Sequence, residues 1–435
     1  MTDNLSMRTM EPSGAPERAV LVGLALSQQP PGEVDESLDE MKRLAWTAGA
    51  EAVCTIVQRR DKPDPATLIG RGKIAEVQAA AAELEAGLIL FDADLSPAQN
   101  AKLQDALNTD PERPLKVVDR TQLILDIFAQ RAQTNEGKLQ VELAQLQYNL
   151  TRLTGRGAEM TRLGGGIGTR GPGEQKLEVD RRVIRRRIDR LRNDLEKVRK
   201  SRRVQRKQRS EDAVATVSLV GYTNAGKSSL LRALTHSSAF VEDKLFATLD
   251  PTSRRCDLPS GRTIVLTDTV GFIRKLPHHL VAAFRATLEE VVESDLLLVV
   301  ADAAHPAVES QIRAVYDVLE EIGAAEKPAL TAFNKADIAD SEQTHQLIRG
   351  HDGRLAVSAR TGEGLDALLH AIDEYVRPQR QRVQLRIPQR EARLAAQVHA
   401  NGKVLDERYE GDDILLDAEI EPHLRRQLMD YEYVE

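Results

Sequence analysis

Eight residues near the middle of the chain, GYTNAGKS from Gly221 to Ser228, have the types and spacing of a loop that wraps phosphate groups. An apolar run, Ala215 to Val220, precedes the loop and a helical sequence, SLLRAL, follows it. In such a loop the backbone amides and the helix N-terminus face the phosphates. The Lys227 ammonium then bridges the β- and γ-phosphates, and the Ser228 hydroxyl binds Mg²⁺. The pattern therefore predicts a nucleoside triphosphate site.

Three further motifs follow in the chain. IVLTDTVG ends an apolar run at Asp268, whose carboxylate can hold a water of Mg²⁺, while the Gly271 amide can meet the γ-phosphate. In NKAD, Asp337 can accept hydrogen bonds from N1 and N2 of guanine, a donor pair that adenine lacks. In LAVSARTGEGL, the Ala359 amide can reach guanine O6. Four motifs in this order predict a GTPase domain.

The residue after Gly271 is Phe272, at the position where a self-sufficient GTPase places a glutamine that orients the attacking water. A phenylalanine cannot orient water. One interpretation is a scaffold that binds GTP without hydrolysing it. Because the phosphate and Mg²⁺ ligands are present, we favour the other, in which intrinsic turnover is slow and a partner completes the site.

Asn224 suggests a further part of the machinery. Among GTPases with a hydrophobic residue at the glutamine position, an asparagine here resembles the ligand that holds K⁺ between phosphate groups, where the cation does the work of an arginine finger. The alternative is that Asn224 only fits the backbone of the loop. The sequence leaves K⁺ stimulation as a hypothesis.

The elements that position these motifs form several domains, since 435 residues exceed one ordinary core. Residues 1–18 have the composition of a disordered tail. Residues 19–135 alternate strand and helix patterns, which predicts a small parallel α/β domain, and Ser96 with Pro97 has the pattern of a helix start. The GTPase domain covers 211–375, and 376–435 reads as a small α+β domain. The fold class is α/β.

Residues 136–210 predict a helical hairpin. Leucines from Leu139 to Leu153 step by four and three, and the apolar residues from Ile184 to Val198 repeat that spacing, so each helix has one apolar seam. Between them, residues 154–173 contain eight glycines, a composition that we expect to end both helices. A tip of this length is typical of functional or disordered loops. The alternative is a simple linker.

The second helix of the hairpin is strongly basic. From Arg181 to Arg209 fifteen Lys or Arg accompany three acidic residues, whereas the whole chain has a net charge of −7. A solvated face is the plain explanation, but a run of like charges favours an anionic partner, RNA above DNA. With few aromatic residues nearby, backbone contacts should dominate. The expected RNA-binding residues are Arg156, Arg162, Arg170, Arg181, Arg182, Arg185, Arg186, Arg190, Arg199, Lys200 and Arg203.

The remaining signals are weaker. Gly70, Gly72 and Lys73 could contact a phosphate at a helix start, which leaves open a second nucleotide site for ATP, an RNA contact, or a simple helix-capping turn. Cys54 and Cys256 lie far apart, without the spacing of a zinc site or a disulfide framework. No apolar run has the length of a membrane span, so we expect a cytoplasmic protein.

FATLDPTSR, from Phe246 to Arg254, resembles the first switch of the HflX family, in the Obg-HflX branch of translation-factor-related GTPases. RLTGRGAEMTRLGGGIGTRGPGE is similar to the glycine-rich segment that distinguishes this family. The resemblance implies that Thr248 contacts Mg²⁺ and the γ-phosphate in the GTP state. It also implies a monomer that binds the large ribosomal subunit and its rRNA, brings the tip near the peptidyl-transferase region, and splits or rescues ribosomes under stress.

Motifs and resemblance together give the expected site. Lys227, Thr248, Asp268 and Gly271 should act in catalysis, and Ser228 and Thr248 should bind Mg²⁺. The full set of nucleotide-binding residues is Gly221, Tyr222, Thr223, Asn224, Ala225, Gly226, Lys227, Ser228, Phe246, Ala247, Thr248, Leu249, Asp250, Asp268, Thr269, Val270, Gly271, Asn334, Lys335, Ala336, Asp337, Ser358, Ala359 and Arg360. Alternative functions are a ribosome-assembly or tRNA-modification GTPase, and an RNA remodeller that uses ATP in the N-terminal domain.

Overall fold

A computed structural model of the chain describes residues 15–30, 32–108, 112–160, 172–211, 214–235, 245–274, 285–376, 381–420 and 422–433. The expected disordered tail lies outside these residues up to position 14, and its last two residues already belong to the first strand. In the ranges just given, no helix combines the length and the apolar composition that crossing a membrane requires.

The N-terminal domain is built on a parallel sheet of four strands, in the order β2-β1-β3-β4. Its strands are β1 Glu17–Leu26, β2 Ala50–Arg60, β3 Leu88–Phe91 and β4 Lys116–Asp119. Its helices are α1 Glu33–Ala48, α2 Arg71–Glu83, α3 Pro97–Leu107 and α4 Arg120–Arg131. The predicted parallel α/β domain is confirmed.

Both faces of this sheet are covered. Along β1, Ala19 and Leu21 pack into one core while Val20 and Val22 pack into another, because successive side chains of a strand point to opposite faces. Ser96 begins α3 as predicted: its hydroxyl accepts a hydrogen bond from the Gln99 amide at 3.2 Å, and the Gln99 side chain accepts one from the Ser96 amide at 3.0 Å.

The hairpin consists of α5 Asn135–Met160 and α6 Pro172–Glu211. Its apolar seam is confirmed, since Leu143 packs with Ile188, Leu191 and Leu195 in one buried cluster. The prediction that both helices stop at the glycine-rich segment is wrong at its edges, because α5 continues to Met160 and α6 begins at Pro172. Each isolated glycine costs a helix only about 1 kcal/mol, and proline is favoured in a first turn. Residues 161–171 lie outside the described part of the chain.

The GTPase domain has a six-stranded sheet in the order β10-β9-β8-β5-β7-β6, with only the edge strand β6 antiparallel. Its strands are β5 Thr216–Gly221, β6 Thr252–Asp257, β7 Thr263–Asp268, β8 Leu296–Asp302, β9 Ala329–Asn334 and β10 Arg354–Ala356. Its described helices are α7 Lys227–Thr235, α8 Arg285–Glu293, α9 Val308–Glu321, α10 Ser341–Ile348 and α11 Leu365–Val376.

The C-terminal domain is a small α+β unit, as predicted. Its antiparallel sheet has the order β11-β13-β12, and buried residues of β13 alternate with half-buried ones. Its elements are β11 Gln381–Pro388, α12 Ala392–Asn401, β12 Lys403–Glu410, β13 Asp413–Ile420 and α13 Pro422–Gln427, with short 3₁₀ turns at Gln389–Glu391 and Met429–Tyr431.

The N-terminal and GTPase domains share a core. Residues of the GTPase domain join the apolar cluster that α4 and α5 form beneath the first sheet. The Phe246 ring lies edge-on to Phe128 of α4, with 4.7 Å between the ring centroids. The GTPase-domain residues buried in this cluster are Tyr222, Leu245, Phe246, Leu249, Val270 and Ile273.

Candidate nucleotide and magnesium site

The loop GYTNAGKS connects β5 to α7. Backbone hydrogen bonds tie it to the segment after β7, since the Phe272 amide donates to the Gly221 carbonyl at 3.0 Å and the Thr223 amide donates to the Phe272 carbonyl at 2.8 Å. Gly226 has a φ of +92°, and a Cβ at this position would overlap the Asn334 amide. A close backbone approach with positive φ requires glycine.

Lys227 is buried inside the loop, with 6% of its surface exposed. Its ammonium donates to the carbonyls of Gly221 at 3.1 Å and Tyr222 at 3.0 Å. Burial lowers the pKa of Lys227 to about 8, although the nearby Asp268 carboxylate opposes this shift. A buried ammonium held mainly by neutral carbonyls is a strong site for an anion such as a phosphate.

Ser228, Thr248 and Asp268 meet beside the loop. The Ser228 and Thr248 hydroxyls lie 2.9 Å apart and donate to the same Asp268 oxygen, Oδ2, at 2.6 and 2.8 Å. The other oxygen, Oδ1, is buried without a protein partner, and burial raises the pKa of the Asp268 carboxyl. Hard oxygen donors around an unsatisfied carboxylate fit Mg²⁺. Ser228 and Thr248 would be its direct ligands, and Asp268 would hold one of its waters.

The guanine motifs form the other end of the site. The Asn334 amide donates to the Ala225 carbonyl at 2.9 Å and accepts from the Ala359 amide at 3.0 Å, which joins three loops. The Ser358 hydroxyl donates to Asp337 at 2.7 Å, and this bond, with the Arg360 guanidinium, lowers the pKa of Asp337. Asp337 is therefore an ionised acceptor, as guanine recognition requires.

These groups surround a cavity of about 330 Å³. Fifteen predicted residues line it: Thr223, Asn224, Gly226, Lys227, Ser228, Phe246, Ala247, Thr248, Thr269, Gly271, Asn334, Lys335, Asp337, Ala359 and Arg360. The other predicted residues are not part of its lining: Gly221, Tyr222, Ala225, Leu249, Asp250, Asp268, Val270, Ala336 and Ser358. Ser229 and Ile338 line the cavity without having been predicted, and each directly follows a motif residue that was.

Two of the predicted nucleotide ligands contact the N-terminal domain instead. The Asp250 carboxylate accepts hydrogen bonds from the amides of Gln133 and Thr134, both at 2.9 Å. The Tyr222 hydroxyl donates to Glu40 of α1 at 2.7 Å. These side chains are therefore directed away from the nucleotide cavity, and nucleotide binding by the two residues stays a prediction. The motif gives the position of each residue along the chain but not the direction of its side chain.

Phe272 is 1% exposed and packs among Val220, Leu288 and Val299, outside the cavity lining. Its backbone holds the phosphate loop, as described above, but its side chain cannot reach a water at the γ-phosphate. The sequence expectation that this residue does not orient the attacking water agrees with this position.

The basic residues of α6 present a cationic face along part of the helix. Among the predicted RNA ligands with described side chains, Arg181 is half-buried, and Arg182, Arg185, Arg186, Arg190 and Lys200 are exposed. The side chains of Arg156, Arg162, Arg170, Arg199 and Arg203 lie outside the described part of the structure. Arg182 has one weak acidic neighbour, Glu178, at 3.9 Å.

The candidate second nucleotide site begins α2. The Gly70 amide donates to the Gln58 side chain at 2.8 Å, and the Lys73 ammonium pairs with Glu76 at 2.7 Å. The Gly70 carbonyl accepts from the Lys73 and Ile74 amides, at 3.0 and 3.1 Å. Since Gly70 and Lys73 already have partners, the contacts favour the helix-start interpretation over a phosphate site.

Arg120 was missed by sequence reasoning. It is 1% exposed, pairs with Glu40 at 3.1 Å and Asp92 at 2.7 Å, and donates to the Arg274 carbonyl at 3.0 Å. The paired carboxylates raise the pKa of the guanidinium despite its burial. No local pattern marks this arginine, because its partners come from distant parts of the chain.

Three family models match successive parts of the chain. "GTP-binding GTPase N-terminal" covers residues 35–129, and "GTP-binding GTPase Middle Region" covers residues 131–209. "50S ribosome-binding GTPase" covers residues 216–335, which include the phosphate loop and the NK of NKAD.

Curated relatives align over nearly the whole chain. The GTPase HflX of Lacrimispora saccharolytica is 45% identical over 430 residues, 99% of this chain and 98% of the relative. That of Escherichia coli K12 is 45% identical over 388 residues, 88% of this chain and 89% of the relative. A solved GTP-binding protein of Sulfolobus solfataricus in complex with GDP shares 24% identity over 83% of this chain and 98% of that one, with a TM-score of 0.42. The comparison therefore rests on the sequence relatives and not on the solved structure.

Proposed function

Because the chain belongs to the HflX family of GTPases, we propose that it hydrolyses GTP slowly alone and rapidly on the large ribosomal subunit. The observation that carries this proposal is a contrast within one site. The ligands for phosphate and Mg²⁺ are assembled around Lys227, Ser228 and Asp268, whereas the residue at the glutamine position is buried in the core. A site that binds the substrate but does not orient water is one that a partner must complete.

The partner we propose is ribosomal RNA. The exposed arginines of α6 offer positive charge to a phosphate backbone, and the family model that matches residues 216–335 is described as ribosome-binding. The GTP-bound form would dock the hairpin on the large subunit and displace subunit contacts, which splits or rescues ribosomes. Hydrolysis would then lower the affinity so that the factor leaves.

Each part of the site has a role in this cycle. Lys227 would hold the β- and γ-phosphates, and Asp337 with the Ala359 amide would select guanine. When bound, Mg²⁺ would neutralise charge on the phosphate oxygens. Thr248 would respond to the γ-phosphate, and its release after hydrolysis would end the GTP state.

Asn224 supports a role for K⁺. It belongs to the phosphate loop, lines the cavity, and has a φ of +62°, a backbone conformation in which asparagine is enriched. We expect K⁺ to accelerate GTP turnover relative to Na⁺ at equal ionic strength, and we expect Asn224→Ala to remove this difference. Equal rates of the unmodified protein in the two salts would reject the hypothesis.

The main test is GTP turnover in potassium buffer, with and without purified large subunits. We expect subunits to raise the rate by orders of magnitude and Lys227→Ala to abolish it. Lys73→Ala is the matched control, since it removes a lysine from the candidate ATP site and should leave GTP turnover intact. Low turnover with mature subunits but activation by immature particles or tRNA would favour an assembly or tRNA-modification GTPase.

A further inference from the structure

Asp250, two residues beyond Thr248, fixes the start of the first hairpin helix. Its carboxylate accepts from the amides of Gln133 and Thr134, each at 2.9 Å, and also from the Thr134 hydroxyl. The Thr134 hydroxyl in turn accepts from the Gly137 amide at 3.0 Å, inside the first turn of α5. Thr134 therefore caps α5, and Asp250 holds the Thr134 hydroxyl where it accepts from the Gly137 amide.

The segment that carries Asp250 packs closely against α5. A Cβ at Gly137 would overlap the Asp250 carboxylate, so any larger residue at this helical position must displace that side chain. Glycine is otherwise unfavourable inside a helix, by about 1 kcal/mol relative to alanine. The contact with Asp250 gives a physical reason for Gly137.

The chain that precedes Thr248 also packs against the N-terminal domain. Phe246 is 2% exposed and packs against Phe128, and its φ of +55° is rare for a bulky residue. Leu249 is buried in the same cluster. The segment that carries Thr248 is thus held at Phe246 and at Asp250, while Thr248 itself faces Ser228 and Asp268.

We propose that Asp250 is a positioning residue that couples the seating of Thr248 in the nucleotide site to the capping of α5. Only Leu249 separates the two residues, so a backbone movement that withdraws Thr248 from Ser228 and Asp268 would also pull the Asp250 carboxylate away from Thr134. This inference rests on the proposed GTP cycle. By linkage, GTP then strengthens the cap, and an anionic partner that holds α5 in place strengthens GTP binding by the same factor.

The first test is nucleotide affinity without ribosomes. We expect Asp250→Asn to weaken binding of a non-hydrolysable GTP analogue about tenfold, the cost of an average helix cap, and to leave GDP affinity unchanged. Asp257→Asn is the matched control: it also removes a carboxylate that accepts from a threonine hydroxyl, Thr263, at 2.7 Å, but away from α5. Its affinities for both nucleotides should stay those of the unmodified protein.

Gly137→Ala provides a second variant that keeps the carboxylate and displaces it. We expect the same selective loss of affinity for the GTP analogue. In the unmodified protein, hydrogen exchange should show the amides of Gln133, Thr134 and Gly137 better protected with the GTP analogue than with GDP. In each variant, the protection at these three positions should be the same with either nucleotide. A thermal unfolding curve shows that each variant is folded before it is measured.

An equal loss of affinity for both nucleotides, or no loss in either variant, would overturn the proposal and leave Asp250 with a structural role. Equal protection of these amides in both nucleotide states of the unmodified protein would overturn it as well. None of these measurements uses ribosomes. A failure of large subunits to stimulate GTP turnover would therefore count against the proposed function alone.

Discussion

The Tyr222 hydroxyl, in the phosphate loop, donates a hydrogen bond to Glu40 of the N-terminal domain at 2.7 Å and accepts one from the Arg274 amide at 2.8 Å. Glu40 also pairs with the buried Arg120, which donates to the Arg274 carbonyl. One buried polar network thus connects the phosphate loop, the segment after β7 and the first domain. Such a network is costly when only part of it is satisfied.

Tyr222→Phe should therefore destabilise the protein by about 1–3 kcal/mol, because Glu40 loses a donor in a buried setting. Chemical unfolding monitored by circular dichroism gives the value. Tyr375→Phe is the control, since Tyr375 is 53% exposed, and it should have no measurable effect. Equal midpoints for Tyr222→Phe and the unmodified protein would mean that the network contributes nothing to stability.

Nucleotide affinity should depend on pH through Lys227, whose pKa is lowered to about 8. A bound phosphate favours the protonated amine, so binding takes up a proton once the free protein has lost it. GDP affinity should be flat below pH 8 and fall by up to about tenfold per unit above it. Titration calorimetry from pH 6.5 to 9.5 measures this, with Lys227→Arg, which stays protonated, as the control. Identical profiles for the two proteins would contradict the assignment.

Asp337→Asn should lower affinity for GTP roughly 100-fold, because the ionised carboxylate is replaced by a neutral amide at a site for two guanine donors. Xanthine nucleotides, which carry a carbonyl in place of the 2-amino group, should recover binding to this variant. Asp340→Asn alters a nearby aspartate that begins α10 and should leave the affinity unchanged. Fluorescent nucleotide titrations measure all three. Unaltered preference for guanine in Asp337→Asn would remove this residue from base recognition.

Tyr148→Phe should loosen the hairpin from the first domain. The Tyr148 hydroxyl donates to Asp119 at 2.7 Å, and burial raises the pKa of both groups. We expect a loss of about 1–3 kcal/mol in unfolding free energy. Tyr409→Phe removes a hydrogen bond of similar length, 2.8 Å, that the exposed Tyr409 donates to the half-buried Glu407, and it should change nothing measurable. Equal unfolding midpoints for Tyr148→Phe and Tyr409→Phe would contradict this prediction.

Phe272→Gln should not create a self-sufficient enzyme. The new amide would be buried among apolar side chains, which we expect to cost about 2–4 kcal/mol, and it would not reach the nucleotide cavity. Intrinsic GTP turnover, measured well below the melting temperature, should stay within about twofold of the unmodified protein, a change too small for a recovered water-orienting group. A tenfold increase would show that this side chain reaches the attacking water.

Features set by local chemistry could be predicted from the sequence. The phosphate loop, the Ser96 helix start and the seam around Leu143 each follow from short-range spacing. The contacts between domains could not be. Asp250 and Thr134 are 116 residues apart, and their pairing depends on how two cores pack together, which no periodicity encodes.

The cap held by Asp250 lies at the base of a long rod. A helix of 26 residues such as α5 extends about 39 Å, at about 1.5 Å for each residue. Pivoting this rod by about 5° at Thr134 would carry its far end through about 3 Å, roughly the length of one hydrogen bond. A small shift of Asp250 beside the nucleotide site would thus become a much larger movement at the far end of α5.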